Sequence, residues 1–394
     1  MMEFKLFLLL GTIILLYFLG FGGSLFLTNH ILKRTEQDLA FQYFRYSKYT
    51  RWGTMILMIL LVVTLMAFDV DEILSYWIKN EIFQIILTFV SFIVFMLGLL
   101  ILISLPGYRI ERELRGATVT RGRYLWLVTA GILFIFAGII VVFIIGVGLI
   151  LTVEELALWI GIPIFILLFS LFLILFSNHY PRLIGFIYGS SIIQDDHIRR
   201  RLIRLTDRVK VKIKELYLIR TLDLKIANAW VCGLLDKRIY ITDYLLDNFS
   251  LDETEAVLAH ELGHVKKKDL WVYFAYALGY MAFYGVIILG LSTILDLNKL
   301  SPVSSYLMVI VLGLIYFIIL FGIISRKMEF RADRYVAEVA SNPSAYVEAL
   351  KKLASLNTMV FRWKRKDEAL LSHPSVERRI IKFNQILKSK QDDV

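Results

Sequence analysis

Long apolar blocks alternate along this chain with short charged connectors, and the blocks are longer than a soluble core needs. A membrane-crossing helix takes about 20 mostly apolar residues, because the hydrocarbon layer is about 30 Å thick and an α-helix rises 1.5 Å per residue. Seven segments meet or approach that length: Leu6 to Leu27, Trp52 to Phe68, Ile82 to Leu105, Tyr124 to Leu151, Leu156 to Phe176, Leu270 to Leu295 and Tyr306 to Ile324. The first reads as a span and not a cleaved leader. Its apolar run is long, only Lys5 precedes it, and Gly22-Gly23-Ser24 makes a poor cleavage site.

The connectors predict an orientation, since Lys and Arg collect in short cytoplasmic loops beside spans. The loop after the first span carries Lys33, Arg34, Arg45, Lys48 and Arg51, and that after the third carries Arg109, Arg112, Arg115, Arg121 and Arg123. Acidic residues take the intervening loops: Asp69, Asp71, Glu72 and Glu81 against Lys79, then Glu154 and Glu155. This alternation puts the N-terminus outside or lumenal and the two longer polar stretches in the cytoplasm. Four regions result: five spans over 1–178, a polar loop over 179–269, a two-span hairpin over 270–325 and a polar C-terminal region over 326–394.

Inside the polar loop, Val211 to Arg220 and Arg238 to Thr242 are rich in β-branched and aromatic residues and predict short strands. Leu251 to Lys268 predicts a helix, with Asp252 and Glu253 in its first turn and a small or apolar face at Ala256, Val257, Ala259, Leu262 and Gly263. The expected fold is an all-α polytopic membrane protein of about seven transmembrane helices, bearing a small cytoplasmic α+β domain.

Composition agrees with a membrane class. Hydrophobic residues make up 58% of the 394 and charged ones 20%, which excludes a disordered tail or a nucleic-acid-coating protein. The formal charge of +10 is assigned to anionic lipid headgroups, so lipid and not nucleic acid is the expected partner. Cys232 is the single cysteine. It excludes an internal disulfide and a cysteine-based zinc cluster, and reads as a buried structural thiol.

The chemistry lies at His260-Glu261-Leu262-Gly263-His264. In a helix, positions i and i+4 share a face, so His260 and His264 can hold one Zn2+ ion with Glu261 between them. Catalytic zinc sites take three protein ligands and keep one position open. A third histidine six residues after His264 would mark one large protease class, but that position is Leu270. A carboxylate is therefore favoured. Spans six and seven form an antiparallel hairpin; His264 lies six residues before Leu270, and Glu329 five after Ile324. If both helices continue out of the bilayer, the two side chains stand about 8–9 Å above it.

Glu329 and Asp333 are themselves spaced i, i+4 within Arg326 to Glu338, so one helix face can offer a ligand and a carboxylate that orients a zinc histidine. Ordinary helix salt bridges to Arg326, Lys327, Arg331 and Arg334 would explain the same spacing. Glu338 is the next candidate ligand.

These motifs resemble the integral-membrane CAAX prenyl endopeptidases and, more distantly, the bacterial heat-shock membrane zinc proteases. The resemblance rests on His260–His264, Glu329-x-x-x-Asp333 after the last span, Asn228-Ala229 upstream, and His373-Pro374-Ser375 with Arg379 in the tail. Five spans before the catalytic loop and two after it look like the prenyl-protease branch. The resemblance implies a gluzincin-like site: His260, His264 and Glu329 on one zinc ion per chain, Glu261 as general base and Asp333 orienting a ligand. It further implies that His373 stabilises the oxyanion or positions substrate, and that Asn228, Ala229 and Arg379 bind an extended substrate. Read from residues alone, His373 is a surface histidine, Arg379 a partner in an ion pair within its own helix, and Asn228-Ala229-Trp230 a turn with a buried Trp.

The implied function is a zinc metalloendopeptidase that processes the C-termini of prenylated CAAX substrates. The alternative substrate class is misfolded membrane protein, cleared by a quality-control protease. A metal-binding seven-span receptor or transporter is the reading from another class. It would place ionisable residues deep within spans, and spans one to four and six to seven have none in their central stretches. Oligomeric state has no signature in the chain.

Overall fold

The computed structural model describes residues 2–33, 38–134, 138, 158–294, 308, 311–313, 315–363, 368, 371 and 373–392. The chain divides into two compact units, Met1–Phe169 and Ser170–Val394.

The first unit contains α1 (Met2–Leu32), α2 (Leu39–Ala67), α3 (Val70–Trp77), α4 (Glu81–Ser104), α5 (Gly107–Glu113) and α6 over 121–134. α1 buries Leu9, Ile13, Leu16, Gly20, Ser24, Thr28 and Ile31, a single stripe at the helical period. Phe18 and Phe26 point the other way and are each 72% exposed, as expected where lipid, not water, covers a helix that is apolar all round. Glycine permits a close approach here: a Cβ on Gly20 would stand 2.9 Å from Leu99 Cδ1.

Among the described residues, five helices are long and apolar enough to cross a membrane: Met2–Leu32, Leu39–Leu65, Ile86–Glu113, Ile166–Tyr188 and Asp269–Ile287. They correspond to the first, second, third, fifth and sixth expected spans. Most of the fourth, and much of the seventh before Ile315, lie outside the described residues.

The second unit takes in most of α7 (Leu158–Tyr188), then β1 (Ser190–Ile192), α8 (Asp196–Arg208), β2 (Glu215–Ile219), β3 (Ala229–Cys232), β4 (Arg238–Thr242) and α9 (Asp243–Asn248). After these come α10 (Leu251–Lys266), α11 (Asp269–Ser292), a π-helical stretch over Ile315–Leu320, α12 (Phe321–Val339), α13 (Ala345–Leu356) and α14 (Val376–Asp392). The sheet order is β1-β2-β4-β3. β2 and β4 run parallel, whereas β1 and β3 pair antiparallel with them, so β3 is an edge strand.

Leu216, Ile239 and Ile241 from the sheet join Leu202 and Leu205 of α8, Ala256, Ala259 and Leu262 of α10, and Val336 of α12 in one core. Trp230, Tyr240 and Tyr217 lie opposite one another on β3, β4 and β2 and stack at 5.7 and 5.1 Å.

α10 begins at a reciprocal cap. The Ser250 side chain accepts from Glu253 N, and Glu253 returns an acceptor to Ser250 N, satisfying two otherwise orphaned donors. The helix does not continue into the sixth span as expected. It stops at Lys266, and Lys268 adopts left-handed backbone angles (φ 59°, ψ 34°) before α11 starts at Asp269.

Candidate metal centre

α10 and α12 cross at Gly263. A Cβ there would lie 3.1 Å from Ala332 Cα and 3.2 Å from Tyr335 Cβ; only a bare backbone lets the helices approach this closely. Glu329 sits one turn before Ala332 and so reaches the histidine pair. His260 Nε2 and His264 Nε2 are 3.2 Å apart, and Glu329 lies 3.5 Å from the first and 3.6 Å from the second. One ligand atom from each of the three residues lies within 4.8 Å of the others. Two donors held about 2.0–2.1 Å from a tetrahedral ion stand about 3.3 Å apart. The spacing and the His-His-carboxylate donor set therefore fit zinc. Glu338, the reserve candidate, is exposed on another face of α12.

The outward ring nitrogens are occupied. His260 Nδ1 is 3.0 Å from Asp333 Oδ1, the contact expected of that carboxylate. His264 Nδ1 is 2.7 Å from Asp269 Oδ2. The Tyr346 hydroxyl donates to Asp333 Oδ1 at 2.7 Å and lies 2.9 Å from His260 Nδ1. Sequence reading found neither Asp269 nor Tyr346. Asp269 lies five positions after His264, off its face in a continuous helix, and Tyr346 belongs to no motif.

Arg379 reaches across from α14, not along it. Its guanidinium donates to both Asp333 oxygens at 2.7 and 3.1 Å and to the Tyr346 hydroxyl at 2.6 Å. It also pairs with Glu329 at 3.3 Å. Burial opposes ionisation of Asp333 and Glu329, but the Arg379 and His260 charges outweigh it and hold both carboxyls well below the usual range. Burial likewise opposes the charged His260 ring, as does Arg379, yet hydrogen bonds to Asp333 and Glu329 lift it to about 9. Burial raises the Glu261 carboxyl, the direction a general base needs. It also pushes the Cys232 thiol to about 12, so this cysteine is not a nucleophile at neutral pH.

A cavity of ≈820 Å³ opens on the site, lined by Glu261, His264 and Glu329 on one side and Val231, Cys232 and Leu234 on the other. The end of the edge strand thus faces the candidate metal ligands. Ala229 is buried at the start of β3, Asn228 is exposed just before it, and the Asn228 side chain accepts from Ala229 N at 2.9 Å. Trp230 is half-buried in the strand, not in a turn. His373 is 62% exposed, with Nδ1 3.0 Å from Glu329 Oε1.

The sequence pattern of Peptidase family M48 matches residues 193–386, from the end of β1 into α14. The M48 segment contains every candidate site residue described above. A "Protease HtpX homolog 2" of Methanosarcina mazei is 28% identical over 255 residues, covering 57% of this chain and 85% of the relative. A "Protease HtpX homolog" of Gemmatimonas aurantiaca is 33% identical over 122 residues, 30% of this chain and only 43% of that relative's length. Among solved structures, S. mikatae Ste24p superposes with a TM-score of 0.62 at 17% identity, over 94% of this chain and 98% of the other. That likeness extends the shared fold beyond the M48 segment to nearly the whole chain.

Proposed function

We propose that the protein is a membrane-embedded zinc metalloendopeptidase with its site at the cytoplasmic face. The observation that carries this reading is the convergence of His260, His264 and Glu329 on one point, with Glu261 lining the same cavity. Zinc, when bound there, would supply a Lewis acid for the scissile carbonyl and lower the pKa of water to about 7. Glu261 takes the proton from the attacking water and passes it to the departing amine. Asp333 fixes the tautomer of His260, leaving Nε2 free for the ion. Arg379 and His373, both on Glu329, position it or meet the oxyanion. The substrate backbone lies along β3 beginning at Asn228 and Ala229, extended by edge-strand hydrogen bonding.

For the substrate we put C-terminal processing of prenylated CAAX chains first, supported by the span arrangement and the fold shared with Ste24p. Clearance of misfolded membrane proteins is the second reading, favoured by the HtpX homologues among the relatives. Detergent-purified protein offered a farnesylated CAAX peptide and an unmodified unfolded membrane segment separates them. Preference for the farnesylated peptide supports the first, and preference for the bare segment the second. Cleavage of neither by zinc-loaded protein would point to the non-catalytic receptor class.

A further inference from the structure

We infer that Asp269 is the positioning residue for His264, and that it ties the candidate metal site to the first residue of a membrane helix. The inference rests on the zinc-site reading above and goes beyond it in assigning Asp269 and its partner Arg331.

Asp269 is 1% exposed, and a carboxylate removed from water must find its partners inside the protein. It has two, on different oxygens. Oδ2 receives His264 Nδ1 at 2.7 Å, and Oδ1 receives Arg331 Nη2. The two contacts do not compete, so the carboxylate accepts from the ring and from the guanidinium at the same time. A histidine that donates through Nδ1 has its lone pair on Nε2, which in His264 is the nitrogen facing His260 Nε2 and Glu329.

The backbone explains why this contact exists at all. In an unbroken α-helix, residue i+5 lies about 140° around the axis from residue i, since each residue turns about 100°. Asp269 could not then reach His264. The stop at Lys266 and the left-handed Lys268 swing the start of α11 back over the end of α10. Arg331, two residues after Glu329 on α12, closes the arrangement. One ion pair thereby ties the segment leading from His264 into α11 to the helix that supplies the third ligand. Asp269 does for His264 what Asp333 does for His260, but from the membrane side.

The test is zinc affinity of the full-length, detergent-purified chain, measured by chelator competition without reference to proteolysis. Loss of an outer carboxylate on a zinc histidine costs roughly 10–100-fold in metal affinity, and that is the loss expected for Asp269→Ala. Asp269→Asn retains an oxygen acceptor but not the charge, so its loss should be smaller. Arg331→Ala should weaken zinc less than Asp269→Ala, because the ring contact remains. Should Asp269→Ala fail to fold, Asp269→Asn loaded with cobalt(II) serves instead, with a shift in its visible d–d bands expected. An Asp269→Ala protein that folds and binds zinc within twofold of wild type would overturn the assignment, as would an unaltered cobalt spectrum in Asp269→Asn. Wild-type protein that takes up no zinc would overturn the metal-site reading itself, a result distinguishable from failure of Asp269 alone.

Discussion

At the scale of single residues, the candidate site separates groups that would hold a metal from one that would move a proton. Glu261→Gln should keep zinc and fold while lowering kcat/KM by about 10²–10⁴-fold, the usual contribution of a general acid–base group; metal analysis beside peptide cleavage checks both halves. Glu329→Ala should lose zinc as well as cleavage. Equal zinc content in Glu329→Ala and wild type would remove Glu329 from the ligand set. The pH dependence has a definite sign. In the metal-free protein His260 titrates near 9, so at neutral pH it carries a proton that must leave when metal binds. Apparent zinc affinity should therefore fall about tenfold per unit as pH drops below that value, with proton release visible by calorimetry in buffers of different ionisation enthalpy.

At the scale of elements, the meeting of α10 with α12 determines where Glu329 stands, and Gly263 sets how near they come. Gly263→Ala gains about 1 kcal/mol of helix propensity but pushes its Cβ against Ala332 backbone, an overpacking cost of about 1–3 kcal/mol. A small net loss of Tm is expected, with a larger loss of zinc affinity because the displacement falls on Glu329. α10 was legible in sequence because its cap, its small apolar face and its histidine spacing all follow the helical period. Glu329 was legible from its four-residue spacing to Asp333 and from the family resemblance, whereas the height argument assumed an unbroken helix through Lys268, where the chain turns. β1 and β3, with three and four residues, were too short to show a period of two, and β3 was marked only by family resemblance. Asp269 and Tyr346 stayed hidden for a different reason. Their roles depend on a left-handed turn at a lysine, which favours no such conformation, and on the packing of α13 against α10.

At the scale of the whole molecule, the connector charges make a topological prediction. With Cys232, the chain's single cysteine, replaced by serine and Lys388, which is exposed on α14, replaced by cysteine, a membrane-impermeant maleimide should label inverted vesicles but not intact cells. Labelling of intact cells would reverse the orientation. The placement of β3 at the rim of its sheet has a consequence for what such an enzyme could cut. A polypeptide accepted there must first surrender its own internal pairing, so an intact helix within the bilayer is a poor candidate however well its side chains suit. Discrimination would then depend on how readily a stretch of chain unravels into a ribbon near the membrane surface, more than on which letters it carries. A frayed tail and a damaged protein satisfy that condition equally.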